Sequence, residues 1–260
     1  MKKHWILLAF FVFFICVSAM ADAGPELSVY EIHPWVDGPV LGMAALGATL
    51  PVVFQSRIVH QTNPGNEHDV DWPDRQVIGN HSDFAAYASH VTVALAIATP
   101  LVFDYQDLGW SRTLAEDFTV YAEVLSIDSS INNLARYSVQ RPRPEAYRQT
   151  PPPTDPGSYL SFDAGHVAST FAALSAASMT YNYRYGPHAW PWIITGVVGV
   201  SEGYMRSAAG KHFYTDDILG MAVGTSVGII VPMLHKRKGP TSLTLVPTDH
   251  GGQLVWHRDF

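Results

Sequence analysis

The sequence of 260 residues is long enough for one large domain or two small ones. Hydrophobic residues make up 47% of it and charged residues 15%, and its mean hydropathy of +0.06 lies between those of soluble and multi-span membrane proteins. Its net charge of −7 makes nucleic acid a poor partner, because binding to phosphate backbones needs an excess of Lys and Arg.

The N-terminus has the layout of a secretory signal peptide. Lys2 and Lys3 precede the apolar run WILLAFFVFFICV, and the small residues Ala19 and Ala21 follow it. We therefore assign residues 1–21 to a cleaved signal and expect export to the periplasm or cell envelope. A retained anchor is the alternative, although the run is short for a membrane span. Cleavage would remove the single cysteine and leave 14 basic against 23 acidic residues, a net charge of −9.

The rest of the chain predicts an all-α fold. After a polar lead-in, apolar stretches rich in Ala, Leu and Val are long enough for helices, and we expect a single bundle of about six main helices with long polar loop insertions over residues 22–240. The loop QRPRPEAYRQTPPPTDPGSY contains too much proline for a helix to cross it. In the tail, residues 241–260, two β-prone segments flank the turn DHGG and indicate a small hairpin. The helical stretches fall at about 41–55, 85–103, 114–136, 166–182, 191–206 and 213–234.

Two interpretations of these helices stay open. Segment 217–234 could cross a slightly thinned bilayer, and the positive residues HKRK follow it directly. Two other stretches carry the carboxylates of Glu123 and Glu202, which are costly inside a membrane unless they face a cavity or a partner. We favour a periplasmic protein with buried helices, with membrane association as the alternative.

Three clusters of polar residues have the chemistry of an anion site. In the first, Arg136 and Arg143 are two helical turns apart, so that both guanidinium groups could share one face before Pro142 and Pro144 end the helix. Guanidinium groups bind phosphate oxygens through paired, charge-assisted hydrogen bonds. The alternative is a solvated basic helix end.

The second cluster is the sequence SFDAGH, which ends at His166 just before an apolar helix. Gly165 allows a close approach of the backbone to a ligand, and N–H groups at a helix start bind anions. His166 could donate a proton to a leaving oxygen. The alternative is a helix capped by Asp163 with an incidental histidine.

The third cluster contains Arg206, His212 and Asp216. His212 and Asp216 are four residues apart, so on one helix turn the carboxylate could hold one imidazole nitrogen and leave the other free as a nucleophile. The alternative is an ordinary His–Asp contact on the protein surface, which an isolated pair of these residues at this spacing would favour.

Together the clusters resemble the type 2 phosphatidic acid phosphatase and vanadium haloperoxidase superfamily, whose signature runs Lys-x6-Arg-Pro, Pro-Ser-Gly-His and Ser-Arg-x5-His-x3-Asp. The resemblance covers roughly residues 85–234. It implies that His212 attacks phosphorus to form a phosphohistidine, that His166 protonates the leaving group and that Asp216 orients His212. It also implies that the transferring phosphate is held by Arg136, Arg143, Arg206 and the Gly165 N–H. No metal or cofactor is implied.

Four positions depart from the signature. Arg136 replaces a lysine and Met205 a serine, whereas Asp163 and Ala164 replace Pro-Ser and remove a hydroxyl from the site. The loss of one hydrogen bond to a charged group weakens binding by about 1.5–3 kcal/mol. His90 has no partner at metal-ligand spacing and is interpreted as a core or cavity histidine.

The resulting prediction is a metal-independent phosphohydrolase acting on a phosphorylated substrate, in particular a lipid phosphate such as phosphatidate, a polyprenyl diphosphate or a lipid A phosphate. A broad soluble acid phosphatase is close to it. The alternatives are a vanadate-dependent haloperoxidase, for which the chain is short, and a catalytically weakened derivative that binds a phosphorylated envelope component.

Overall fold

The computed structural model describes residues 28–237 with their side chains and residues 241–248 and 251–258 by their backbone. The predicted signal peptide lies outside the described residues. The all-α prediction is confirmed, and the six long helices of the described region correspond to the six apolar stretches of the sequence. The helices are α1 (Pro34–Val53), α2 (Gln55–Ile58), α3 (Trp72–Arg75), α4 (Asp83–Leu108), α5 (Arg112–Val139), α6 (Gly165–Tyr185), α7 (Trp190–Ala208) and α8 (Tyr214–His235).

The proline-rich loop contains no α-helix, as predicted; short 3₁₀ turns occupy Pro144–Arg148 and Pro156–Tyr159, and a third spans Glu67–Asp69. In the tail, strands β1 (Thr241–Thr248) and β2 (Gly251–Arg258) are antiparallel neighbours. The predicted hairpin stays a prediction.

Helix α5 is defined at both ends by local sequence. Ser111 caps its start, where the hydroxyl oxygen accepts a hydrogen bond from the Leu114 N–H at 3.1 Å. Gln140 ends it in a left-handed conformation with φ of 49°, and Pro142 follows. The chain then leaves the helix axis before Arg143.

The core lies where α5, α6 and α8 meet. Helix α8 presents Gly220, Gly224 and Gly228 to α6, and a β-carbon at Gly220 would lie 2.9 Å from the Ala164 carbonyl oxygen. At Gly224 it would collide with the carbonyl of Ala168. These glycines let the two backbones touch, which brings the start of α6 beside the start of α8. The main buried apolar cluster comprises Tyr30, Val120, Tyr121, Val124, Ala172, Ala173, Ala176, Val227 and Val231.

Three of the described helices, α1, α4 and α8, are long and apolar enough to cross a membrane. Large apolar side chains on α1, α4 and α7 are exposed on the outside of the bundle, among them Met43, Phe103 and Val197. Membrane association therefore fits the fold.

Candidate active site

A cavity of about 280 Å³ lies at the end of the bundle where α6 and α8 begin and α5 and α7 end. Six of the seven residues predicted for the site line this cavity, although they come from distant parts of the sequence. They are Arg136, Arg143, Gly165, His166, Arg206 and His212. Asp216, the seventh, is fully buried behind the cavity wall.

The two arginines of the first cluster reach the cavity by different routes. Arg136 lies in the last turn of α5, as predicted. The prediction that Arg143 shares a helix face with it is wrong, because the helix ends at Val139 and Arg143 belongs to the following loop. The loop folds back so that the Arg143 N–H donates to the Ser158 carbonyl at 2.8 Å. This contact directs Arg143 into the cavity.

His212 precedes helix α8, and its imidazole is almost completely buried. Its Nδ1 lies 2.8 Å from the backbone carbonyl oxygen of Ser161. A carbonyl oxygen can only accept, so Nδ1 carries the proton and Nε2 keeps its lone pair. The nitrogen with a free lone pair is the one a nucleophile requires.

The predicted direct contact between Asp216 and His212 is wrong, because the Ser161 carbonyl occupies that place. One oxygen of the Asp216 carboxylate accepts from the Ser161 hydroxyl at 2.6 Å and from the Phe213 N–H at 3.0 Å. Its other oxygen pairs with Arg141 at 2.6 Å. His212 and Asp216 are not on one helix turn, since the helix begins between them. Asp216 therefore fixes the loop that holds the ring rather than the ring itself.

Arg141 extends this network to a second carboxylate. Its guanidinium pairs with Asp74 at 2.7 Å, and it stacks over the ring of Phe213 with 4.0 Å to the centroid. Asp74 in turn accepts from the Thr215 N–H at 3.1 Å. The start of α8 is thereby held by two contacts, that of Arg141 with Asp216 and that of Asp74 with the Thr215 N–H.

The second cluster opens helix α6, as predicted, with Gly165 as its first residue. The cap is Ala164, not Asp163, so the interpretation of Asp163 as the helix cap is wrong. Asp163 has a positive φ of 60° and is buried without a hydrogen-bond partner for either carboxylate oxygen within the described region. A β-carbon at Gly165 would lie 3.1 Å from Asn132. Any larger residue would have to displace the Asn132 side chain, so glycine best lets the backbone face the cavity.

Sequence reasoning missed a partner of His166. His90 on α4 is exposed, and its Nδ1 lies 2.9 Å from Nε2 of His166. One of the two nitrogens must donate, so the rings share a proton. The sequence signal was present, because His90 is spaced three and seven residues from Val93 and Ile97, which both line the cavity.

Electrostatics keep both cavity histidines neutral when no anion is bound. Burial, reinforced by Arg206 and Arg143, lowers the pKa of His212 well below its ordinary value. Burial and the same positive field, to which His90 adds, lower the pKa of His166 to about 3. Burial and the charge of Arg143 lower the pKa of Arg206 to about 10, so this guanidinium stays charged at neutral pH.

Two buried carboxyl groups lie behind Arg136. Burial raises the pKa of Asp128 to about 7, although a hydrogen bond from Ser169 at 3.0 Å opposes the shift. Burial also raises the pKa of Asp163 to about 6, against the attraction of Arg136. Only part of the positive charge of the cavity is therefore balanced from within the protein.

The cavity suits an anion better than a cation. Its metal-type donors are His166 and His212, and three guanidinium groups beside them would repel a metal ion. The buried Nε atoms of Arg136, Arg143 and Arg206 have no hydrogen-bond partner in the described part of the chain. A tetrahedral oxyanion would satisfy such donors and bring its own negative charge.

The described residues form a largely helical fold, in which the buried imidazole of His212 shares one cavity with Arg136, Arg143 and Arg206. Residues 117–240 match the family model described as the PAP2 superfamily, the family that the three motifs resemble. The predicted recognition is thus confirmed, and the family supports phosphoester hydrolysis of the phosphatase type. No curated protein and no solved structure matches the chain.

Proposed function

We propose that the protein is an exported, metal-independent phosphohydrolase that works through a phosphohistidine on His212. The observation that carries the proposal is the shared cavity, in which the unprotonated Nε2 of His212 lies among Arg136, Arg143 and Arg206. A nucleophile and a charge clamp are the two requirements of this chemistry.

In the first step, the Nε2 lone pair of His212 forms a bond to phosphorus while the bond from phosphorus to the leaving oxygen breaks. The Ser161 carbonyl stabilises the positive charge that develops on the ring by accepting from Nδ1. The three guanidinium groups and the N–H groups at the start of α6 stabilise the charge on the equatorial oxygens. In the second step, water attacks phosphorus and releases His212 and inorganic phosphate.

His166 is the candidate acid for the leaving oxygen and the candidate base for the attacking water. Burial lowers the pKa of His166 most, and the three arginines add to the shift. A phosphate bound to the arginines offsets their part of it, which favours protonation of the ring when an anion is present. His90 is well placed to pass that proton on, since the two rings share one. This makes His90 an additional proposed participant.

The proposed substrate is a lipid phosphate or another phosphate ester of the cell envelope. Val93 and Ile97 of α4 form an apolar side of the cavity, and α4 is one of the three helices apolar enough to cross a membrane. A headgroup could occupy the arginines while its lipid lies along α4. The same geometry accepts a small soluble ester, so the assay includes both classes.

A catalytically weakened, phosphate-binding chain is the second candidate. It is favoured by the buried Asp163 behind Arg136 and by Ala164, which offers no hydroxyl at the start of α6. Phosphate binding by the purified chain with no turnover of any ester would support it.

The test is phosphate release from lipid and soluble esters by the mature chain, with and without EDTA, and trapping of the phosphoenzyme by rapid acid quench. His212→Ala should abolish turnover and leave no phosphoenzyme, while His81→Ala, an exposed histidine outside the cavity, should retain both. Ala164→Ser should be as active as the wild type or more active. An unchanged rate in His212→Ala would end the mechanistic claim.

A further inference from the structure

A second cluster of chemically active side chains lies at the other end of the molecule. Asp37 of α1, Glu123 of α5 and His235 at the end of α8 each offer one possible ligand atom, and these atoms lie within 4.8 Å of one another. Helix α8 has 22 residues and is therefore roughly 30 Å long, which separates this cluster from His212. It takes no part in the proposed phosphate chemistry.

In its neutral form, His235 presents the lone pair of one ring nitrogen to the two carboxylates of this cluster. Nδ1 of His235 lies 2.9 Å from the Val231 carbonyl oxygen, so Nδ1 carries the proton in the neutral ring. Nε2 then directs its lone pair at the carboxylates of Asp37 and Glu123. Three electron-rich atoms can face one another in a buried place only if a cation or a proton lies between them. A metal-ligating histidine has the same outer hydrogen bond to a carbonyl.

The distances indicate what that charge is. Nε2 lies 3.4 Å from the Asp37 oxygen and 3.3 Å from the Glu123 oxygen. Both separations exceed the roughly 2.7–2.9 Å of a charge-assisted hydrogen bond. They equal the edge of a tetrahedron, about 3.3–3.4 Å, whose centre binds each corner at about 2.0–2.1 Å, the zinc–ligand distance. The third separation, between the two carboxylate oxygens, is at most 4.8 Å, so the three atoms are close enough together to bind one metal ion.

Two further observations support a ligand at this point. Glu123 is 1% exposed, and its second carboxylate oxygen is buried without a hydrogen-bond partner in the described region. All three side chains line a cavity of about 360 Å³, which gives an ion a route of entry and room for a water as fourth ligand. Within residues 28–237, the ion pairs of Asp37 and Glu123 are with His235 alone.

We infer that Asp37, Glu123 and His235 form a binding site for a tetrahedral divalent metal ion of the zinc class. Two carboxylates and one neutral imidazole balance the charge of such an ion, and one nitrogen with two oxygens is a donor set that zinc accepts. The site joins three helices and the lead-in segment, since the Glu31 N–H donates to the His235 carbonyl at 2.9 Å. Its role is structural, namely to fix α1 to the core.

The sequence alone gives no indication of this site, because the three ligands are far apart in the chain and have no ligand spacing. A hydrogen bond outside the site also orients Asp37, because its second carboxylate oxygen accepts from the His33 N–H at 2.6 Å. Such contacts orient a ligating carboxylate before the ion arrives.

The experiment uses the purified full chain, stripped with EDTA and titrated with Zn²⁺ or Mg²⁺, with affinity measured by calorimetry and stability by thermal unfolding. We expect one Zn²⁺ per chain, a higher melting temperature with Zn²⁺, and little effect of Mg²⁺. Co²⁺ in place of Zn²⁺ should give the intense visible bands of tetrahedral coordination.

Glu123→Gln and His235→Gln should each weaken Zn²⁺ binding by more than about tenfold, with Asp37→Asn as the substitute if either fails to fold. The matched control is His188→Gln, because its Nδ1 also faces a backbone carbonyl, that of Gly186 at 2.8 Å, and His188 forms no ion pair with a carboxylate of the described residues. Equal Zn²⁺ affinity in the wild type and the ligand variants would overturn the inference. So would the absence of Zn²⁺ binding to the wild-type chain.

Discussion

Replacing Asp216 by Asn separates two ways in which a carboxylate can support a catalytic histidine. If Asp216 held the His212 ring directly, the amide would favour the wrong tautomer and the rate would fall by about 10⁴-fold. In the structure the Ser161 carbonyl holds Nδ1, and Asp216 acts one step further away, on the Ser161 hydroxyl. The substitution should therefore affect stability more than chemistry.

The magnitude follows from the three contacts of the carboxylate. An asparagine oxygen can still accept from Ser161 and from the Phe213 N–H, but its NH₂ group would face the guanidinium of Arg141, now 2.6 Å from the carboxylate. Arg141 keeps its pair with Asp74. We expect the free energy of unfolding to fall by about 2–3 kcal/mol, because one buried charge-assisted contact is lost. The rate should fall by less than about tenfold, or 1.4 kcal/mol.

The assay pairs kcat for phosphate release at saturating substrate with denaturant unfolding of the same preparations. Asp74→Asn is the matched control, because it removes the other ion pair of Arg141 and leaves the contacts of Asp216 with Ser161 intact. It should lose similar stability and keep its kcat. A fall of about 10⁴-fold in kcat for Asp216→Asn, with stability unchanged, would refute the placement of Ser161 between the two residues.

Three further predictions concern protons. Because burial lowers the pKa of His212 well below 6.5, the nucleophile stays neutral in weak acid; kcat/KM should keep its acid limb well below pH 6.5, and a limb at or above that pH contradicts the burial argument. His90→Gln should slow the hydrolysis of alkyl phosphates by roughly 10- to 100-fold and that of nitrophenyl phosphate much less, because a good leaving group needs no proton from His166. Equal losses of rate on both substrates would show that His90 takes no part in the proton transfer. The raised pKa of Asp128, about 7, means that its protonated form stabilises the fold, so stability falls as pH rises from about 4 through 7. Asp128→Asn should remove the Asp128 contribution to that fall, which is on the order of 4 kcal/mol, and identical pH slopes of unfolding in variant and wild type would count against it.

The secondary structure and the members of the site could be predicted from the sequence. Apolar stretches bounded by proline and polar loops correspond one by one to the six long helices, because helix formation and helix ends depend on neighbouring residues. The motifs around Arg143, His166 and His212 likewise identified six of the residues that line the cavity. Each motif is short and continuous in the chain, so its chemistry is visible without a fold.

The orientation of the side chains could not be predicted in the same way. The spacing predicted that Arg143 lies on a helix, but the left-handed backbone at Gln140 ends the helix before it. The spacing also predicted that Asp216 contacts His212, but the Ser161 carbonyl makes that contact. A contact with a backbone carbonyl cannot be predicted from the residue type, because every residue has such a group. His90 was recognisable on the cavity face of its helix, but only packing shows that this face meets His166.

By itself the sequence determined the six long helices of the described region and the three polar motifs near their ends, which have the residue types of an anion site. The tertiary structure decided which groups touch: the glycine face of α8 brings the starts of α6 and α8 together at one end, and α1, α5 and α8 bring Asp37, Glu123 and His235 together at the other. The physical reason is that local structure depends on interactions between neighbours in the chain. A site made of distant segments exists only once close packing has fixed how the helices lie against one another.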